Sequence, residues 1–119
     1  MNAVLTGKKI EDRAVEYLQN IGIIVLHRNF SCKCGEIDLI AVENETLLFI
    51  EVRYRKNLAF GSPAETITLA KQQKIIRAAE FYLQAKSWAT KLACRFDVIA
   101  VTESMDDLNI EWIKDAFNA

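Results

Sequence analysis

Apolar positions along the chain change period, from helical spacing to strand alternation and back. After Thr6, a residue suited to an N-cap, Ile10, Ala14, Tyr17, Leu18 and Ile21 recur at helical spacing. Gly22 then fits the C′ position that ends a helix. Residues 23–30 are rich in β-formers and predict a strand. Beyond the break Ser31-Cys32-Lys33-Cys34-Gly35, the stretches 36–42 and 47–54 flank a polar Glu43-Asn44-Glu45 turn and predict a hairpin. A loop over 55–65 contains Gly61-Ser62-Pro63. A long helix follows, roughly Thr68 to Ala85, with Ile75, Ile76, Ala79, Tyr82 and Leu83 as its apolar stripe and Lys71, Lys74 and Arg77 beside it. Residues 94–101 predict a strong strand, 109–113 a short edge strand, and the tail a helical or frayed end. The order αβββαββ predicts an α/β fold, a mixed β-sheet flanked by helices.

The hairpin carries the chemistry. Asp38 interrupts an apolar strand in Ile37-Asp38-Leu39-Ile40, and Glu51 does so in Phe49-Ile50-Glu51-Val52. Strand alternation puts Glu36 and Asp38 on one face, and likewise Glu51 and Arg53. A turn centred on Asn44-Glu45 sets Asp38 opposite Glu51 and Glu36 opposite Arg53. Carboxylates facing each other across a strand pair repel, more so when partly buried. A cation between them relieves that repulsion, and Asp and Glu oxygens suit a hard divalent ion such as Mg²⁺ or Mn²⁺. Either acid alone would be read as the partner of an arginine elsewhere in the fold. Two acids with a cation two residues beyond one of them favour a metal site. An acid followed about a dozen residues later by Glu-x-cation, on a hairpin after an N-terminal helix, is the pattern of metal-dependent nucleases.

Length and composition set the frame. The 119 residues predict one domain, spanning 1–119, and the 51% apolar content suffices for a core without disulfides. No apolar stretch is long enough for a transmembrane helix, and Met1–Gly7 is too short and mixed for a secretory signal. The three cysteines predict reduced thiols and a cytoplasmic protein. Cys32-x-Cys34, with His27 and Cys94, lacks the paired spacing of a zinc site. The net charge of −1 hides a block of +7 over residues 53–95, between acidic flanks. Alone, that block reads as solvated surface. Beside a metal centre it reads as a basic rim that tracks a nucleic-acid backbone.

The segments Gly35–Ile40, Phe49–Arg55, Cys94–Val98 and Glu111–Phe117 resemble the YraN family of bacterial proteins. So do Thr6-Gly7 with Glu11, Ala14 and Leu18, and Lys71-Gln72-Gln73-Lys74. That family is similar in fold to Holliday-junction resolvases of the PD-(D/E)XK nuclease superfamily. By position, the resemblance implies Asp38 and Glu51 as metal ligands and Glu11 as a helix-borne glutamate near the metal. Glu36 is a further acid on the Asp38 strand. Arg53 stands where the superfamily usually has lysine. Arginine does not give up its proton, so Arg53 is suited to clamping phosphate or stabilising charge rather than to acting as a base, and the base role falls to metal-bound hydroxide or to Lys71 entering from the long helix.

The expected activity is a divalent-metal-dependent endonuclease on DNA, with branched or junction DNA as one candidate substrate. Asp38, Glu51, Arg53 and Glu11 form its centre, and Arg53, Arg55, Lys56, Lys71, Lys74 and Arg77 its nucleic-acid contacts. Resolvase-like relatives act as dimers to cut two strands, which makes a homodimer one candidate state, and the residues do not fix which state the chain adopts. The alternative is a catalytically silent nucleic-acid-binding or scaffold protein on the same fold, which Arg53 favours; a module that binds only protein is the third class. Asp97 and Arg95, two apart on one strand, predict a structural ion pair. Tyr54 and Phe60 are candidates for base stacking, with Tyr54 better suited to the core of the opposite sheet face. His27 suits a surface or hydrogen-bonded role, and Trp88 and Trp112 suit packing at edges.

Overall fold

The computed structural model describes residues 7–55, 67–104 and 107–119. In chain order its elements are α1 (Gly7–Asn20), β1 (Ile24–Cys32), β2 (Gly35–Glu43), β3 (Thr46–Arg55), α2 (Leu69–Ala85), β4 (Ala93–Ser104) and β5 (Asp107–Phe117), with a 3₁₀ turn at Ser87–Lys91 before β4. The strands form one sheet in the order β1-β2-β3-β4-β5. Within it, only β3 and β4 are parallel, and the connection between them runs through α2. The expected αβββαββ order and mixed sheet are therefore what the chain adopts. Thr6, Lys56, Phe60 and the Gly61-Ser62-Pro63 loop lie outside the described residues.

The helices cover opposite faces. On α1 the stripe Ile10, Ala14 and Leu18 is buried, each residue one turn from the next. Gly22, at φ +87°, ends the helix, and the Ile23 N–H returns to the Leu18 carbonyl at 3.0 Å. Ile21 falls beyond the helix and is exposed rather than part of the stripe. Thr68 caps α2, its hydroxyl accepting from the Lys71 N–H at 3.1 Å, and Ile75, Ala78, Ala79 and Tyr82 pack downward. The α2 face of the sheet supplies Ile37, Ile40, Leu47, Phe49 and Phe96. The α1 face supplies Leu39, Ala41, Leu48, Ile50, Ile99 and Val101. Covered on both sides, β3 reads Leu47-Leu48-Phe49-Ile50 without a polar residue, as a central strand should.

Two aspartates break the ladder, and each explains a departure from simple strand reading. Asp97 on β4 is fully buried. Its carboxylate accepts from the Arg95 Nε at 2.8 Å, the Trp112 indole at 2.8 Å and the Asp115 N–H at 2.9 Å. Asp115 sits at φ +55°, and the β4–β5 register jumps between Phe96↔Phe117 and Val98↔Ile113. The tail expected to be helical or frayed is thus the second half of an eleven-residue strand, interrupted where Asp97 replaces a backbone partner. The expected Asp97–Arg95 ion pair is present, and Trp112 lies beneath Lys114 at 4.3 Å.

The second break is at Asp38. Ile37 packs toward α2 and Leu39 toward α1, although regular alternation would put both on one face. On β1, Arg28 reaches α1 while Phe30 packs under α2. The β1–β2 ladder pairs Arg28 with Leu39 and Phe30 with Ile37, and skips Asn29 and Asp38 between them. Asn29 has φ +55°. The hairpin tip beyond this pair is therefore turned over relative to the rest of the sheet. The single face expected for Glu36 and Asp38 does not survive the turn: Glu36 is exposed, paired with Ser31 on β1 and not with Arg53 on β3.

The turned-over tip rests against α2. A Cβ at Gly35 would lie 3.1 Å from the Lys74 carbonyl oxygen and 3.2 Å from the Lys74 Cβ, neither able to yield easily. Gly35→Ala is expected to cost about 1–3 kcal/mol, as overpacking does, read as a lower midpoint in urea with an unchanged slope.

Candidate active site

The β2–β3 ladder runs from Glu43↔Thr46 to Leu39↔Ile50, the register expected from a turn at Asn44-Glu45. Continued by one step, it places Asp38 opposite Glu51. There the backbone pairing stops, and the Asp38 carboxylate accepts the Val52 N–H at 2.8 Å. Asp38 thus fills a slit between two strands that have parted. The slit opens on the α1 side into a cleft of about 210 Å³ lined by Gly7, Ile10, Glu11, Asp38, Val52 and Tyr54. On the other side, strand parity from Phe49 sets Glu51, Arg53 and Arg55 on the face that α2 covers.

The electrostatics follow from this placement. Burial, more than any other influence, raises the Asp38 pKa; the Val52 N–H opposes it and the nearby Glu11 charge adds to it. Burial pushes Glu51 up to about 7, reinforced by the Asp38 charge and opposed by Lys71 and Arg53. From the first turn of α2, the Lys71 ammonium stands 3.8 Å from Glu51 Oε1. Of the expected cations, Arg53 and Lys71 are therefore the two that act on the acid pair. Lys74 and Arg77 lie farther along α2, Lys74 exposed, Arg55 is half-buried at the end of β3, and Lys56 lies outside the described residues.

Glu11 lines the same cleft, but its carboxylate is engaged. It accepts from Asn29 Nδ2 at 2.9 Å and from Arg28 Nε at 3.3 Å, while Arg28 also reaches Asp12 at 2.5 Å. Among the described residues, no group of three or more His, Cys, Asp or Glu side chains is gathered to hold a metal ion. The acid pair brings two carboxylates together and leaves Glu11 beside them. Asn29 escaped the sequence reading: in a strand it reads as a polar interruption, and only its position opposite Asp38 gives it meaning. Tyr54 is half-buried, packs against the core on the α1 face with its hydroxyl bonded to Glu103, and lines the cleft. His27 has its ring edge on Tyr82, and the thiols are free, with Cys34 and Cys94 exposed and Cys32 half-buried. No helix among the described residues is long and apolar enough to cross a membrane.

Comparison with known proteins gives a consistent result. Residues 10–101 match the profile described as "Uncharacterised protein family UPF0102". A UPF0102 protein of Hahella chejuensis is 49% identical over 112 residues, covering 94% of this chain and 89% of that protein. One from Caldicellulosiruptor saccharolyticus is 44% identical over 119 residues, covering 98% of this chain and all of that protein. One from Stutzerimonas stutzeri is 40% identical over 114 residues, covering 96% and 95%.

The raised Glu51 has a consequence for stability. Between the usual carboxyl value of 4.5 and about 7, the folded chain retains a proton that the unfolded chain releases. Stability therefore falls as pH rises through that window and levels off above it. Glu51→Gln should remove the Glu51 share of this fall, leaving the smaller one due to the raised Asp38, and raise stability at pH 8 by about 1–3 kcal/mol, since displacing a carboxyl pKa costs about 1.4 kcal/mol per pH unit. Urea unfolding of both proteins from pH 4.5 to 8 checks it.

Proposed function

The chain belongs to the UPF0102 family, whose description assigns no activity, and from its site we propose that it is a divalent-metal-dependent nuclease. The observation that carries this reading is the acid pair itself: Asp38 and Glu51 meet in a slit where burial opposes the charge of both, with the Glu11 charge adding to it at Asp38 and the Asp38 charge adding to it at Glu51. Their hard oxygen donors fit Mg²⁺ or Mn²⁺, with water and substrate phosphate completing the shell, while Glu11 lines the adjoining cleft with its carboxylate held by Arg28 and Asn29. Bound there, such an ion would supply Lewis-acid activation of water and charge neutralisation at the phosphodiester.

The chain's own residues then have distinct roles. Asp38 is held by the Val52 N–H, which fixes its carboxylate in the slit. Lys71, at 3.8 Å from Glu51, places an ammonium beside the pair. Arg53 contributes a permanent charge that steers and clamps phosphate but does not take up a proton. Gly7, the first residue of α1, lines the cleft on one face, and the first turn of α2 carries Lys71 to the other. Two helix N-termini thus favour an anion at the same strand ends. Lys74, Arg77 and Arg55 extend the positive surface along a nucleic-acid backbone. DNA, including branched DNA, is the proposed substrate.

The test uses purified protein with labelled duplex, single-stranded and four-way-junction DNA, in Mg²⁺, Mn²⁺ or EDTA. Cleavage is expected only with metal, and should fall by at least about a hundredfold in Asp38→Asn and in Lys71→Ala, as when a group stabilising the transition state is removed. Salt-sensitive binding without cleavage on every substrate would instead select the silent-scaffold reading, which Arg53 favours. Neutralising Lys71, Lys74 and Arg77 together should lower the slope of log affinity against log salt by about 0.9 for each phosphate that the protein no longer neutralises.

A further inference from the structure

We infer that Asn29 is a positioning residue for Asp38, acting through its left-handed backbone. Three observations meet at this residue. Asn29 has φ +55°, a region that asparagine tolerates and β-branched residues resist. It stands opposite Asp38, at the pair the β1–β2 ladder skips between Arg28↔Leu39 and Phe30↔Ile37. On both strands the alternation of faces breaks at this pair, from Arg28 to Phe30 and from Ile37 to Leu39.

The physical link is geometric. Were β1 regular at residue 29, its ladder with β2 would continue unbroken, and Asp38 would keep the face opposite to one shared by Ile37 and Leu39. The left-handed turn removes that constraint. It lets Asp38 enter the β2–β3 slit, where the carboxylate takes the Val52 N–H and meets Glu51. The Asn29 amide, bonded to Glu11 at 2.9 Å, lies on the cleft side of the same turn. One residue therefore adjoins two of the three acids. The inference deepens the proposed function by naming what holds its first acid, but the placement of Asp38 is testable without any activity.

The variants are Asn29→Val, Asn29→Ala and Asn29→Gly. The readouts are hydrogen exchange at the Val52 amide, followed by NMR, and calorimetric titration with Mn²⁺. Valine resists the left-handed region, so Asn29→Val should lose at least about tenfold of the Val52 protection relative to neighbouring β3 amides, and bind Mn²⁺ at least about tenfold more weakly. Glycine accepts that region freely, so Asn29→Gly should keep Val52 protection within about threefold of wild type. That rescue separates positioning from the role of the amide hydrogen bond to Glu11. Where Asn29→Val does not fold, Asn29→Ala carries the same comparison with glycine. Val52 protection unchanged in folded Asn29→Val or Asn29→Ala, or lost equally in Asn29→Gly, would overturn the inference. A wild-type chain that neither binds Mn²⁺ nor cuts DNA would overturn the proposed function instead, and Val52 exchange would still decide the role of Asn29.

Discussion

Two carboxyls this close and this far buried cannot both carry full charge without a cation close by, and that constraint organises this protein. Asp38 and Glu51 come together because the β2–β3 register brings them together, and they stay there because the backbone parts to admit a side chain. Everything nearby bears on the same electrostatic problem. Lys71 approaches from one face, Arg53 follows on the strand, and Glu11 waits on the other face under the hold of Arg28 and Asn29.

Asp97 makes the contrast that gives Asp38 its meaning. Both are strand aspartates in apolar surroundings, and both replace a backbone partner in a ladder. Asp97 is answered in full by a guanidinium, an indole and an amide, so its negative charge is settled within the fold. Asp38 has one amide and an acid for a neighbour. The first arrangement fastens β5 to β4. The second holds a demand for positive charge that the fold answers only in part, which is the property expected of a binding centre rather than a brace.

Much of this is legible in the residue order. Glu43-Asn44-Glu45 between two apolar runs dictates the hairpin, and the hairpin dictates which acids face each other. Acids inside strands otherwise apolar on both faces stand out for the same reason. What the pattern conceals are the places where a side chain substitutes for backbone. The β5 tail loses its alternation because Asp97 occupies a ladder position, and a broken alternation resembles a helical period over so few residues. Glu36 reads as sharing a face with Asp38 because one left-handed residue on the neighbouring strand is invisible to periodicity within a strand. The approach of Lys71 to Glu51 depends on how a helix crosses between parallel strands, which spacing alone does not give.

The single parallel pair in the sheet also bears on how the chain reaches this state. The strands β1, β2 and β3 form a meander whose pairings lie close in sequence, so the two acids meet through short and inexpensive loop closures. Arg53 comes with β3 itself, but Lys71, the other cation that tempers the pair, comes with α2, on the far longer connection from Arg55 to Ala93 that must close before β3 and β4 can pair. Closing that crossover is what brings Lys71 to Glu51, so the connection that completes the sheet is also the one that delivers an ammonium to the acid pair.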